Sequence, residues 1–516
     1  MGNKPRLAKC HSGSVSGVRA RTVEIEVCAS NGSPQFAIVG LPDTAVKEAK
    51  DRVSTAISNS GFKRPESNIT VNLAPADVRK EGPIYDLPIA ICLLAAANKM
   101  TCADLAEWGL VGELALSGEV RRVRGVLPIV MEMRRIGKRG VIVPVENADE
   151  AAVVDGISVY PVRTLREAVE FLEGRADIRP VFTDLSRLVR AARDTGDDFI
   201  DVKGQDFAKQ AIEVAVAGGH NLMMIGTPGC GKTMLAKRIP SILPPLTVEE
   251  ALEVTRIHSV AGMLKPGEPL VLHRPFRAPH HTASTAGLLG GGTHPQPGEV
   301  SLAHRGVLFL DEMPEFSRNA LEVLRQPLED GHVTISRVAG TCDYPSRFML
   351  VAAMNPCPCG YLGDERHTCR CSRSKRVEYR NRVSGPLLDR IDIQIEVSPV
   401  SYDMLSQLPS GEPSAKIRER VMLARDIQSR RFADDPDVFC NADMRPRDVA
   451  RYCRLDTRAQ AALREKLQAL DLSARAYDRV LKVARTVADL RGADAVGDDD
   501  VNRAASWRAL DRNYWN

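Results

Sequence analysis

Apolar residues along this chain follow two different patterns. From Thr22 to Cys28 they alternate with polar residues, as in a half-exposed strand, and Gln35 to Val39 reads as another strand. Thr44 to Ser60 carries Val46, Ala49, Val53, Ala56 and Ile57 at helical spacing on one face. Ile69 to Leu73 is predicted as a strand, Leu87 to Ala97 as an apolar helix and Gly140 to Val143 as a later strand. Further on, Leu222 to Ile225, Val307 to Leu310 and Phe348 to Met354 are unbroken apolar runs, as expected of parallel strands covered on both faces. After Val400 helical spacing dominates. One helix runs from Ser473 through Val483, Val487 and Leu490, and Gly497-Asp-Asp-Asp500 opens a last one. These patterns predict an α/β protein divided into an α/β domain over 1–175, a charged linker over 176–198, an α/β core over 199–400 and a helical domain over 401–516.

The chemistry enters at Gly226-Thr-Pro-Gly-Cys-Gly-Lys-Thr233, between the run Leu222 to Ile225 and a helix through Met234 to Ile239. Strand, glycine-rich loop and helix in this order predict a P-loop, whose backbone N–H groups curl round phosphates at a helix N-terminus. Gly226, Thr227, Pro228, Gly229, Cys230 and Gly231 form the cradle. Lys232 reaches the β- and γ-phosphates, and the Thr233 hydroxyl ligates Mg²⁺. ATP and Mg²⁺ are the expected cofactors.

A second apolar strand ends in Asp311 and Glu312. Carboxylates leaving the C-terminal end of a buried strand stand where ligands bind in open α/β sheets. Asp311 is read as holding the Mg²⁺ shell and Glu312 as the general base; an edge cap is the alternative. A third strand ends at Asn355, which resembles the sensor-1 polar residue of AAA+ ATPases and so implies a contact to the γ-phosphate or its attacking water.

Composition narrows the setting. The 516 residues call for several domains, and 44% hydrophobic with 26% charged residues describes a globular protein. A net charge of +4 leaves nucleic acid to local surfaces. Without a signal-like N-terminus or a run of about 18 apolar residues, the expectation is a cytoplasmic protein with no membrane partner. The 12 cysteines are therefore not read as disulfides. Four of them, Cys357, Cys359, Cys369 and Cys371, are read as a structural Zn²⁺ site; free thiols are the alternative, and His367 is a substitute ligand. His273, His280, His281, His294 and His304 lack helical metal-binding spacing and suit loop hydrogen bonding, with DNA contact at His280 and His281. Val333 to Arg337 and Thr341 to Tyr344 flank Val338-Ala-Gly340 as a hairpin, with Arg337 near its tip as a phosphate contact or a solvated side chain.

Two resemblances extend this reading. Gly40-Leu-Pro-Asp43, Arg79-Lys-Glu-Gly-Pro83, Gly112-Glu113 and Pro144-Val-Glu-Asn147 resemble the proteolytic domain of Lon proteases, which implies a ribosomal S5 domain 2-like fold. That family's serine and lysine positions fall on Ile84 and near Pro128, so the resemblance implies a proteolytically inactive domain. His273-Arg-Pro-Phe-Arg-Ala-Pro-His-His281, the tract from Gly287 to Gly298, Gly298-Glu-Val-Ser-Leu-Ala-His304 and Arg382-Val-Ser-Gly-Pro-Leu-Leu-Asp-Arg390 resemble the magnesium-chelatase-like AAA+ family. Together with a Lon-like N-terminal domain, the resemblance implies its competence branch: hexameric, ATP-driven helicases that migrate DNA branches in natural transformation, alongside recombination machinery. It also implies an arginine finger at Arg390, with Arg382 in the same segment, and a sensor arginine at Arg475. A metal-chelatase motor inserting Mg²⁺ into a porphyrin is the alternative, and its partner's D-x-S-x-S site is missing here.

Overall fold

The computed structural model describes residues 6–64, 67–185, 187–188, 196–292, 295–337, 340–399, 411–435, 437–470, 474–508 and 510. The alternating N-terminal segments build a seven-stranded mixed sheet. Its strands are β1 (Arg6–Ser16), β2 (Arg19–Ser30), β3 (Phe36–Val39), β4 (Asn68–Ala74), β5 (Trp108–Leu110), β6 (Gly140–Pro144) and β7 (Ser158–Val162). Their order is β3-β4-β2-β1-β5-β6-β7. β1 and β2 pair antiparallel with Ser16 opposite Arg19, so Gly17 and Val18 make a two-residue turn, with Gly17 at φ +61°. Val23, Ile25 and Val27 of β2 are fully buried while the residues between them are not, as the alternation requires.

Helices α1 (Thr44–Asn59), α2 (Asp86–Ala96) and α3 (Val126–Arg135) cover this sheet. The five apolar positions of α1 are all buried, and Asp43 caps its N-terminus by accepting from Val46 N at 2.8 Å. Gly13 in β1 lets α3 approach, since an added Cβ would stand 2.9 Å from Ile129 Cγ1. The chain stays on this core through Ile178, Val181 and Leu185, within the stretch read as a linker.

The unbroken apolar runs form a second sheet, entirely parallel. Its strands are β8 (Leu222–Ile225), β9 (Phe276–Arg277), β10 (Val307–Leu310), β11 (Met349–Met354) and β12 (Ile393–Glu396). Their order is β9-β10-β11-β8-β12. Every residue of β8, β10 and β11 is buried. The first strand lies between the fourth and fifth, which opens a crevice at its C-terminal end, the switch point of an open α/β sheet. Helices α4 (Asp206–Gly218) and α5 (Lys232–Ile242) flank β8, and a β-ribbon of His332–Arg337 with Gly340–Pro345 stands apart from the sheet. Val338 and Ala339 of its turn lie outside the described residues.

One helix of the second body belongs equally to the first. α6 (Val248–Val260), opened by a capping box between Thr247 and Glu250, lies against α3. Ala251 of α6 and the nearby Leu246 and Leu270 are part of the N-terminal core. Gly125 N donates to Ser259 O at 3.2 Å, the Ser259 hydroxyl donates to Glu150, and Arg122 donates to Leu264 O. At the other end of the contact, Ser16 Oγ meets Cys342 Sγ of the ribbon at 3.6 Å.

The C-terminal helices α7 (Ser414–Arg431), α8 (Thr457–Leu470), α9 (Ala474–Leu490) and α10 (Asp498–Ser506) share a core with β8, α4 and α5. Their centre is charged: Asp489, buried in α9, accepts from Arg431 Nη1 at 2.7 Å, Arg485 Nε at 3.0 Å and Asn441 Nδ2 at 2.8 Å. Arg485 is 1% exposed, so removing its counter-charge strands a cation. Breaking such a pair from one side costs about 3–5 kcal/mol. Asp489→Ala should therefore lower unfolding free energy by roughly that amount in denaturant titrations, whereas the exposed Asp498→Ala should stay near wild type.

Candidate nucleotide site

The P-loop leaves β8 at Gly226 and ends on Gly231, the N-cap of α5 at φ +96°. Gly226 admits no side chain, because a Cβ there would stand 2.4 Å from Val397 O. Gly229 at φ +80° makes the bend that turns the loop toward the helix. Lys232, 8% exposed, donates from Nζ to Gly226 O at 2.6 Å, Thr227 O at 3.0 Å and Asn355 Oδ1 at 3.2 Å. Parallel pairing of β8 with β11, Ile225 opposite Met354, is what carries Asn355 to the lysine.

Thr233 Oγ1 donates to Asp311 Oδ2 at 2.7 Å, so hydroxyl and carboxylate converge as a divalent cation's ligands would. Glu312 follows in a left-handed conformation, φ +50°, which only a local constraint keeps for a non-glycine residue, and its N–H donates to Asp311 Oδ1 at 2.9 Å. The side chain of Glu312 is more than half exposed and meets His281 Nδ1 at 3.7 Å. His281 in turn stacks on His280 at 4.1 Å between ring centroids. The histidine loop thus lies at the carboxylate end of β10. Arg337 lies elsewhere, beside the Gly-rich tract: an added Cβ on Gly291 would stand 3.4 Å from its Nη2, and Tyr344 of the same ribbon donates to Pro295 O at 2.8 Å. His294 lies outside the described residues. His304 is buried and engaged by Glu253 at 3.3 Å, as loop hydrogen bonding requires.

The four thiols come together. Their Sγ atoms all lie within 4.8 Å of one another, with Cys357–Cys359 at 3.4 Å, Cys357–Cys369 at 3.6 Å and Cys359–Cys369 at 3.7 Å. A tetrahedral zinc with sulfur at about 2.3 Å needs edges of about 3.8 Å, so the set fits. His367 instead faces Asp364 at 3.2 Å. Gly360 of this loop rests on the P-loop: a Cβ there would stand 2.6 Å from Pro228 Cγ.

Arg390 pairs with Glu329 and donates to Pro386 O at 2.5 Å, while Arg382 reaches Glu315 at 3.1 Å. Arg475 is in the first turn of α9; its side chain lies outside what is described. Ile84 sits in the short helix Pro83–Tyr85 and Pro128 inside α3, both buried. Two further residues steady the site. Gln205, at φ +58°, donates to Cys230 O at 2.7 Å and steadies the P-loop from the segment before α4. His220 joins the start of β8 to Thr486 of α9 at 2.8 Å and to Asp392 at 3.3 Å. Burial would raise the Asp392 carboxyl, but His220 and Arg479 outweigh it and hold it at about 2. Nothing local in the sequence marks His220.

A parallel sheet with a P-loop on its first strand, a carboxylate pair on the third and a polar residue ending the fourth defines an AAA+ ATP-binding core. Known families agree. Residues 198–405 match the model described as magnesium chelatase, subunit ChlI; residues 25–147 match subunit ChlI of Mg-chelatase, and 411–508 its C-terminal part. The chain is 45% identical over 508 residues to the uncharacterized protein YifB of Salmonella typhimurium and 44% identical over 514 residues to the competence protein ComM of Haemophilus influenzae, each match covering 98% of both chains. It is 23% identical over 163 residues to Lon protease 2 of Bacillus subtilis, 29% of each chain. The chain belongs to the magnesium-chelatase-like AAA+ family, as a ComM-like member. Among the described residues no helix is long and apolar enough to cross a membrane.

Proposed function

We propose that this protein is an ATP-driven DNA motor that migrates the branches of recombination intermediates, working in the cytoplasm as a hexameric ring. The observation that carries the reading is the Lys232 ammonium shared between the P-loop and Asn355, with Thr233 bonded to Asp311 beside it. These groups suit a nucleoside triphosphate: Lys232 faces the β- and γ-phosphates, and Asn355 senses the γ-phosphate through the same lysine. Thr233 and Asp311 would hold Mg²⁺, whose charge offsets that of the phosphates. Glu312 accepts the proton of the attacking water, and its exposed position leaves room for that water.

Arg390 acts in trans on the neighbouring subunit's triphosphate, a contribution of about 10³ or more in turnover. Arg475 completes the site from the helical domain. Coupling to DNA is supported by the match to a competence protein along nearly the whole chain. Arg337 and the loop of His280 and His281 are the proposed strand contacts. His281 also touches Glu312, so a strand pulling on that loop acts on the general base. A chelatase motor is the second reading, favoured by the three family descriptions. The two part on what stimulates hydrolysis. Cys357, Cys359, Cys369 and Cys371 bind one structural zinc that fixes the loop beneath Pro228.

Lys232→Ala should abolish ATP binding. Glu312→Gln should bind ATP normally and lose about 10²–10⁴ in hydrolysis, as expected when a general base is removed. Wild-type hydrolysis should rise with branched or single-stranded DNA; a rate indifferent to DNA and raised by a porphyrin and Mg²⁺ would favour the chelatase. Elemental analysis of protein purified without chelator should find about one zinc per chain. Four freely titrating thiols and no metal would remove the zinc assignment.

A further inference from the structure

A groove of about 860 Å³ runs between the start of β2, the end of α3 and α6, and shares no residue with the nucleotide site. Its polar lining is almost wholly cationic: Arg19 and Arg21 from β2, Arg134 and Arg135 from α3, and Arg256 from α6, against the single carboxylate Glu132. Glu132 is already committed. It accepts from Arg135 Nε at 2.7 Å, Arg135 Nη2 at 2.8 Å and Thr22 Oγ1 at 2.7 Å, and these bonds, Arg135 foremost, hold its carboxyl below the usual range. Arg19, Arg21, Arg134 and Arg256 have no carboxylate partner among the described residues.

Arg256 is the telling member. Its Nε is buried with no hydrogen-bond partner, and Arg19 adds a like charge nearby. Glu253, the carboxylate whose charge acts on it, is taken by His304 at 3.3 Å and Arg305 at 3.0 Å. A buried guanidinium N–H without an acceptor costs stability, and crowding cations compounds the cost. An anion in the groove would supply the lone pairs and the charge. Planar guanidinium forks match phosphate oxygens in particular.

The arrangement favours an extended polyanion over a single phosphate. Arg19 and Arg21 stand two residues apart on one exposed face of a strand, Arg134 and Arg135 end a helix across the groove, and Arg256 lies on a third element. The apolar side chains of Val18 and Met131 also line the groove, a surface for sugars and bases. The groove is also continuous with the ribbon that carries Arg337. The turn that begins it, Ser16 to Val18, touches Cys342 at 3.6 Å, and a Cβ on Gly17 would stand 2.9 Å from Asp343 O.

We propose that this groove binds the phosphodiester backbone of a DNA strand entering or leaving the ribbon, a second strand contact made by the N-terminal domain and α6 together. The proposal rests on the DNA-motor reading and adds the site. Because α6 also belongs to the ATP-binding body, strand tension in the groove would bear on both bodies at once.

The test uses the full-length protein and a fluorescent oligothymidylate, titrated at several salt concentrations. Arg19→Ala with Arg21→Ala removes two exposed cations outside the nucleotide site. It should leave ATPase without DNA unchanged, weaken oligonucleotide binding on the order of tenfold and make the slope of log K against log salt less steep by about 1.4, as two lost single-strand phosphate contacts require. Lysine at both positions should restore most of the slope. Binding and slope equal to wild type in the double-alanine variant, with DNA-stimulated hydrolysis intact, would overturn the groove and leave the motor reading standing. Wild-type protein that binds no oligonucleotide at any salt would bring down both. Inorganic phosphate competing at micromolar concentration would assign the groove to a small anion instead of a strand.

Discussion

Lys232 is the side chain on which the rest of the site depends. Its ammonium is nearly buried, and burying a charge is tolerated only where acceptors surround it. Two are carbonyls of the loop it serves, Gly226 O and Thr227 O, and the third is Asn355, delivered by a different strand. That third contact demands that β11 lie directly beside β8 in register, which the parallel pairing of Ile225 with Met354 provides. The same pairing sends the chain from Asn355 into the cysteine loop, whose Gly360 returns to Pro228. P-loop, β11 and thiol cluster are therefore one mechanical unit. A change in what the lysine holds is felt by all three.

A second constraint joins this unit to the N-terminal body. α6 carries apolar residues into the N-terminal core on one side and Glu253 toward the entry of β10 on the other, where Glu253 takes His304 and Arg305. The hydrogen bond from His304, aided by Arg305, holds Glu253 at about 2 despite its burial, so Glu253 stays ionised beside Arg305, while burial holds the His304 imidazole below its usual range. Arg274 completes the junction, donating to Pro244 O at 2.6 Å, Arg305 O at 2.7 Å and Glu250 at 2.9 Å. β10 ends in Asp311 and Glu312, so the N-terminal domain is linked through α6 to the strand that presents the carboxylates.

Elements with strong local patterns were legible in the sequence. The buried strands at Leu222, Val307 and Met349 announced themselves as apolar runs because both faces of a parallel sheet are covered, and α1 showed all five of its buried apolar positions. The P-loop was legible because its glycines answer a backbone requirement at fixed spacing. What stayed hidden depends on tertiary contact. No periodicity says that α6 shares a core with residues two hundred positions earlier, that His281 faces Glu312, or that His220 bonds Thr486. The arginines of the groove come from three separate segments whose local context is that of ordinary solvated side chains. The mild net charge conceals them, since an overall balance of charge is silent about where the cations gather.

Hydrolysis at this site is proposed to move DNA strands. A synthetic four-way junction with a fluorophore and quencher on opposite arms reports branch movement directly as the arms separate. With ATP and Mg²⁺ the protein should drive the signal to completion at a rate that scales with hydrolysis, and the Glu312→Gln protein should bind the junction yet leave it in place. Junction movement by Glu312→Gln at the wild-type rate, or brisk wild-type hydrolysis on a junction that never moves, would contradict the account.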